Sequence, residues 1–278
     1  MRFRRGWRLT KKSWELVGSD ARLLVFPTAS ALIGIAAGIS MFVLAHGRGW
    51  LGYLIVFGLF TFPLTVVGAY LGVAFVALGR RSLDGEGTSL RQGLRCASER
   101  LPAIVAWSLL ATVVGLLLQA LRELRGGWLA TRIAGGVLGV AWAAATFFVL
   151  PVIALEDAGA VTALRRSARL VRERWGETVA GVVSLGGAFV LVLCAAGAVV
   201  GAGVAVGFTP LGLALVAAGV VAIACLTAYT ATVGHMFRLV LYRYATTGEA
   251  AGAFTAAELD AAFRERPLPR VRRWLRRR

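Results

Sequence analysis

The residues best equipped for acid–base or ligand chemistry in this chain are few and scattered. Its two histidines are isolated: His46 stands at the end of an apolar run, and His235 shares one apolar segment with Tyr229, Thr230, Thr232 and Arg238. An imidazole with hydroxyls on the same helix can relay protons or line a polar passage. Tyr229, Thr232 and His235 are therefore the candidate lining of a cavity. A helix from Leu211 to about Thr247 runs about 55 Å, longer than a hydrocarbon core of about 30 Å. That length brings the polar cluster near a membrane boundary, where Arg238 and Arg243 can reach phosphates.

Enzyme chemistry finds little support. All 14 acidic residues lie in spacers or close to the ends of apolar runs, whereas membrane enzymes and proton-coupled carriers keep ionisable groups inside the bundle. The spacings HExxH, GxxxxGKS/T and GxSxG, which hold zinc, a phosphate chain or an exposed nucleophile, do not occur. Cys96, Cys194 and Cys225 form no CxxC pair and fit packing positions better than a disulfide framework or a zinc site. No catalytic residue, metal ligand or cofactor is assigned, and the protein is expected not to be an enzyme.

The richer chemistry is cationic. Between two apolar blocks lies ALRRSARLV, Ala163 to Val171, and a related TKKSWELV occupies Thr10 to Val17, with a weaker copy, RQGLRCA, at Arg91 to Ala97. In the first, Val161, Leu164, Ala168, Val171 and Trp175 recur at helical spacing, and Arg165, Arg169 and Arg172 each stand one residue further on. That pattern predicts an amphipathic helix with a basic flank. Such a helix can lie flat in a membrane interface with guanidinium groups among phosphates, or pack its apolar face on the end of a helix bundle and leave the arginines solvated. The expected head-group contacts are Arg4, Arg8, Lys11, Lys12, Arg91, Arg95, Arg165, Arg166, Arg169 and Arg172, joined by Arg272 and Arg273 in the final RERPLPRVRRWLRRR. A second register, FRRGWRLTKKSW against LRRSARLVRERW, matches equally well.

The elements that must position these groups are membrane helices. The apolar residue set makes up 58% of the chain, alongside 34 glycines, more than a soluble domain can hide. Six runs are long enough to cross a bilayer: Leu23 to Ala45, Leu51 to Leu78, Ala103 to Leu121, Trp128 to Leu155, Thr178 to Val206 and Leu211 to Val240. They are continuous rather than alternating, which favours helices over a barrel. Lysine and arginine divide 27 to 4 between the two sides, so the positive-inside rule places both termini in the cytoplasm. The net charge of +17 then points to anionic lipid head groups. Nucleic acid is not an expected partner, because the basic tail is too short for a folded reader module. Gly34 and Gly38, Gly68 and Gly72, Gly135 and Gly139, and Gly197 and Gly201 make GxxxG pairs that can draw helices together. Pro63 and Pro151 are expected to bend spans two and four.

The fold expected is thus all-α and integral to the membrane: six transmembrane helices as three hairpins, each preceded by a basic amphipathic interfacial helix. Residues 1–248 form the membrane domain, with cytoplasmic amphipathic segments at 1–22, 80–101 and 158–177, and 249–278 form a basic cytoplasmic tail. The stretch FFVLPVIALEDAGAVTALRRSARLVRERWGE, Phe147 to Glu177, resembles a group of bacterial multi-pass families that includes the membrane domain attached to some glycerophosphodiester phosphodiesterases. The shared pattern is an apolar span ending in Pro151 with Glu156 and Asp157, a small-residue loop, and a basic helix with serine before Trp-Gly. FRRGWRLTKKSWELVGSDARLLVFP, Phe3 to Pro27, looks like an uncharacterised six-span family within that group. The resemblance implies the fold and a bacterial cytoplasmic-membrane location; phosphodiesterase activity does not carry over, since this sequence has neither the catalytic domain nor the metal-binding carboxylate cluster. Two functions remain open. One is non-enzymatic engagement of anionic lipid that organises the bilayer, a protein partner or a homo-oligomer. The other is a small-solute or lipid transporter or pore.

Overall fold

The computed structural model describes residues 21–47, 49–123, 130–175, 186–207 and 209–248. The N-terminal repeat copy with Arg4, Arg8, Lys11 and Lys12, and the tail with Arg272 and Arg273, lie outside the described residues. Within those described there is no strand, and a short 3-10 turn at Ala21–Leu24 leads into nine helices: α1 Val25–Ala45, α2 Trp50–Leu83, α3 Leu90–Glu99, α4 Leu101–Glu123, α5 Ala130–Ala145, α6 Val149–Glu156, α7 Ala160–Trp175, α8 Gly186–Val206 and α9 Pro210–Thr247. Among the described residues, five stretches are long and apolar enough to cross a membrane: Arg22–Ala45, Ile55–Leu83, Leu101–Leu121, Gly136–Glu156 and Pro210–Thr247. The run expected as a sixth span, Thr178 to Val206, is described only from Gly186, and its apolar helix counts as the shorter Leu193–Val206.

Local sequence explains the boundaries. At the start of α9 the Thr209 hydroxyl accepts from the Gly212 amide at 3.1 Å and Pro210 takes the first helical position, where its missing N–H costs nothing. At the other end Gly248 closes the helix at φ +75°, a conformation open to glycine without a Cβ penalty. Pro63 sits inside an unbroken α2, but Pro151 has a larger effect. Its ring crowds the Phe147 carbonyl and offers no N–H to it, and the expected fourth span divides there into α5 and α6. In the intervening turn the Phe147 amide bonds Ala144 O at 3.1 Å and the Val149 amide bonds Thr146 O at 3.2 Å.

Two helices are far longer than a bilayer needs. At 1.5 Å per residue α2 extends about 51 Å and α9 about 57 Å, against about 30 Å of hydrocarbon. The exposed large apolar side chains lie mainly on α1 (Leu32 to Leu44), early α2 (Ile55, Leu59), α4, α5, the end of α8 and the first half of α9. Hydrocarbon is the natural cover for that much apolar surface. The buried core gathers instead at the opposite ends of the two long helices. Ala69 to Leu78 of α2 and Met236 to Ala245 of α9 pack there with Leu23, Phe26, Ile104, Phe148 to Ala154, Ala163, Leu170 and Val171. The extra length of α2 and α9 forms the framework on which α3, α6 and α7 assemble.

Glycine placement differs from the expected pairs. An added Cβ at Gly34, Gly38, Gly68, Gly197 or Gly201 would meet nothing within 4 Å, and only Gly72 among the named residues with a described environment faces a tight contact, with Leu150 at 2.8 Å. Close approach occurs at Gly203 and Gly219 between α8 and α9, and at Gly93, whose Cβ would stand 2.9 Å from the Ala74 carbonyl of α2.

Candidate basic interface and ion-paired end

Chemistry concentrates where the core does. The linker after α2, the linker between α6 and α7, the start of α4 and the last turns of α9 meet at one end of the molecule through ionic and hydrogen-bonded contacts. Asp84, just past α2, pairs with Arg80 at 3.7 Å and with Arg243 of α9. Arg81 pairs with Glu86 at 3.2 Å. Arg100, between α3 and α4, pairs with Asp157, which closes α6 in the left-handed conformation at φ 53°. Glu156 accepts from the Tyr242 hydroxyl at 2.6 Å and from Arg166 of α7 at 3.3 Å. Tyr70 of α2 donates to the Leu94 carbonyl at 3.2 Å and meets the Ser98 hydroxyl at 2.8 Å, which seats α3 across α2. Five carboxylates, Asp84, Glu86, Glu99, Glu156 and Asp157, all have an arginine partner.

The α5–α6 break depends on α7. Where the helical ladder is interrupted, the Phe148 amide donates to the Ser167 hydroxyl at 3.0 Å. Both residues are fully buried, so an unpartnered amide there would carry its whole desolvation cost. Ser167 is the serine of RRSAR, and the glycine at the same position of RQGLRCA is Gly93. Both are buried against neighbouring elements, Gly93 tightly so, and four residues later Val171 and Ala97 are buried as well.

The face that α7 buries is rotated by about one residue from the stripe expected. Ala160, Ala163, Ser167, Leu170 and Val171 are buried, Leu164 and Ala168 are half-buried, and Val161 is 55% exposed. Small residues let α7 sit close on its neighbours α6, α5 and α4. Val161 and Leu164 form an outer rim, and Arg165, Arg169 and Arg172 stand exposed beyond it.

The residues expected to meet head groups therefore separate. Arg91, Arg165, Arg169 and Arg172 are exposed and make no ion pair with a described residue. Arg95 is exposed but pairs with Glu99 at 3.0 Å, and Arg166 turns inward to Glu156. The proposed cavity residues lie along α9. The buried Thr232 hydroxyl donates to Ala228 O at 2.7 Å, Tyr229 is half-buried, and the His235 ring lies 5.4 Å from that of Phe75 with an edge toward Gly72. An open groove of about 320 Å³ runs elsewhere, lined by Ile35, Gly38, Ile39, Phe42, Val200, Val220 and Ile223. No group of three or more His, Cys, Asp or Glu side chains that could hold a metal occurs among the described residues. Cys96 of α3 points its thiol toward Ala154 O at 3.9 Å. Burial pushes that thiol above its ordinary pKa, while Arg100 pulls it down and Glu99 pushes it up.

Sequence reasoning missed Asp84, Arg100, Tyr242 and Ser167 as organising residues. The recurring small residue in the repeat was the available signal for Ser167, and the pairing of Glu156 with Tyr242 spans 86 residues with no local trace.

Helices of this length and apolarity, joined end to end in one chain, define a multi-pass all-α membrane protein. Residues 50–253 match a family of unknown function (DUF6159), and the chain belongs to that family. No curated protein and no solved structure matches it. That family has no assigned activity, and the match shows no link to the membrane domain of glycerophosphodiester phosphodiesterases.

Proposed function

We propose that this protein is a non-enzymatic component of the bacterial cytoplasmic membrane that engages anionic lipid through basic amphipathic helices and so organises the surrounding bilayer or a partner. The observation that carries this reading is the division among the arginines of α3 and α7. Arg166 pairs with Glu156 at the end of α6, while Arg91, Arg165, Arg169 and Arg172 are exposed and pair with no described carboxylate. On α7 the exposed Val161 borders the basic row, as suits a helix at an acyl boundary. Near an anionic leaflet each such cation contributes on the order of 1 kcal/mol.

In this reading the ion-paired end faces the cytoplasm, Thr178 to Val206 is the sixth span, and the chain comprises three helical hairpins. The uneven split of positive charge supports the orientation, and the contacts of α1 with α2, α4 with α5 and α8 with α9 support the hairpins. A cysteine introduced by Gly127→Cys, with the native cysteines replaced, is expected to react with an impermeant reagent from the outer side; reaction from the cytoplasmic side alone contradicts this orientation.

The lipid reading is tested by reconstituting the protein with brominated phosphatidylglycerol or phosphatidylcholine and following quenching of its tryptophans, Trp107 and Trp142 among them. Phosphatidylglycerol is expected to bind preferentially at low salt. The preference should fall toward parity in R165Q/R169Q/R172Q and in 1 M salt, where the screening length shrinks to about 3 Å. Equal quenching by the two lipids for the unaltered protein at low salt refutes the proposal.

A further inference from the structure

Five described arginines have half-buried side chains: Arg81, Arg100, Arg166, Arg238 and Arg243. Four of them face a carboxylate, respectively Glu86, Asp157, Glu156 and Asp84. Arg238 has neither a carboxylate nor a hydrogen-bond partner among the described residues; its guanidinium carbon lies 5.3 Å from the centre of the Phe147 ring. It is set five residues before Arg243 on α9, about 7.5 Å further toward the apolar half of the helix. A cation drawn partly out of water needs a compensating anion, because burial without one is costly. Five described carboxylates of this end, Asp84, Glu86, Glu99, Glu156 and Asp157, are already paired with other arginines, and with 31 basic residues against 14 acidic ones the chain cannot neutralise itself.

Phe147 fixes where that anion can come from. It belongs to the turn between α5 and α6, where Pro151 has opened the helix. On either side α5 packs against α4 and α7 while α9 packs against α8, α1, α2 and α6, so α5 and α9 are not extensively joined. The guanidinium thus stands at a seam between two transmembrane helices, held over an aromatic face and set toward the bilayer from the ion-paired layer. Arginine's planar fork suits a phosphate bidentately.

We propose that Arg238 is a lipid-phosphate site: the phosphate of one anionic phospholipid pairs with its guanidinium at the seam between α9 and the α5–α6 turn, and the acyl chains lie along the apolar faces above it. This rests on the reading of the protein as a partner of anionic lipid, but it concerns a single retained lipid rather than the diffuse basic surface of α7.

The test uses the full chain in a mild detergent, with phosphatidylglycerol, phosphatidylcholine or inorganic phosphate added, and lipid retention followed by native mass spectrometry. One phosphatidylglycerol should be held more tightly than any further copy. Its affinity should fall by about tenfold or more in R238Q, as suits loss of charge-assisted hydrogen bonds, and by less in R238K, which keeps the charge without the fork. In R165Q/R169Q/R172Q this first lipid should persist while later copies weaken. Equal retention of the first lipid by R238Q and the unaltered protein overturns the site, as does its displacement by millimolar inorganic phosphate, which would make the ligand free phosphate. If R238Q loses the lipid by misfolding, R238K falls with it and melts early, and that outcome also counts against the site. Loss in the triple variant with R238Q unaffected leaves the surface reading standing and removes this one; no preference for phosphatidylglycerol in any form removes both.

Discussion

Ser167→Ala offers the sharpest test of how the fold is held. The substitution removes one buried oxygen and leaves the Phe148 amide, 3.0 Å away, without its acceptor. Both residues have no exposed surface, so water cannot replace the lost bond without a rearrangement, and the expected cost is about 1–3 kcal/mol. That cost exists only because Pro151 interrupts the helix. In Pro151→Ala the chain can continue from α5 into α6, and the Phe148 amide can return to the Ala144 carbonyl. Ser167→Ala in that background should then cost under about 1 kcal/mol, giving a coupling of about 1–2 kcal/mol between two residues that differ in chemistry and are 16 positions apart. The four proteins of the cycle can be compared by reversible denaturation in detergent micelles, followed by circular dichroism, with Arg169→Gln on the exposed side of α7 as a neutral control. Additive effects, or a loss below about 0.5 kcal/mol for Ser167→Ala alone, would falsify the account of Ser167 as the acceptor that closes the break.

Further outcomes follow from the same contacts. Tyr242→Phe should destabilise the protein by about 1.5–3 kcal/mol, the range for a hydrogen bond to a charged group, because its hydroxyl lies 2.6 Å from Glu156; an unchanged denaturation midpoint would show that the bond contributes nothing. Gly93→Ala places a methyl against a backbone carbonyl at 2.9 Å and should cost about 1–3 kcal/mol, whereas Gly34→Ala meets open space and should be neutral or raise stability by about 0.5–1 kcal/mol through helix propensity. A reversed order in the same denaturation assay contradicts the packing described. Cys96 should alkylate slowly at neutral pH and speed up only above the usual thiol range, since burial raises its pKa and so lowers the reactive thiolate fraction. Arg100→Gln removes the cation that pulls this pKa down and should move the rate profile to still higher pH; a profile that follows a free thiol in both proteins argues against the buried setting.

The sequence revealed what depends on run length and composition, and concealed what depends on distant partners. Apolar runs announced α1, α2, α4 and α9, and Pro151 announced a bend because its defect is local. The face of α7 was misjudged by about one residue because hydrophobic periodicity gives weight to large side chains such as Val161 and Leu164. Tight packing selected Ala160, Ala163 and Ser167 instead. GxxxG spacing was a poor guide in a chain with 34 glycines: Gly34 and Gly38 face open space, while the isolated Gly93 is tight. Nor could any local pattern disclose that Asp84 would meet Arg243, 159 positions away. The basic surface was more legible, since exposure at Arg165, Arg169 and Arg172 follows from helical spacing. That Arg166 would turn inward required knowing where Glu156 lay.

The arginines of this end do two different things, and the shortage of carboxylates links them. Asp84, Arg100–Asp157 and Glu156 each tie segments distant in sequence: the end of α2 to α9, the start of α4 to the α6–α7 linker, and α6 to both α7 and α9. Those contacts fasten short helices onto the overshooting ends of α2 and α9. With these acids used in this way, Arg91, Arg165, Arg169 and Arg172 make no ion pair with a described residue, and attachment of α3 and α7 to the long helices holds their charges in one array. Converting Glu156 to Gln would therefore do more than weaken one pair: it would release Arg166 to join the outward set while loosening the helix that carries it. Lipid preference and stability should then move in opposite directions, an outcome that a merely solvated row of arginines would not produce.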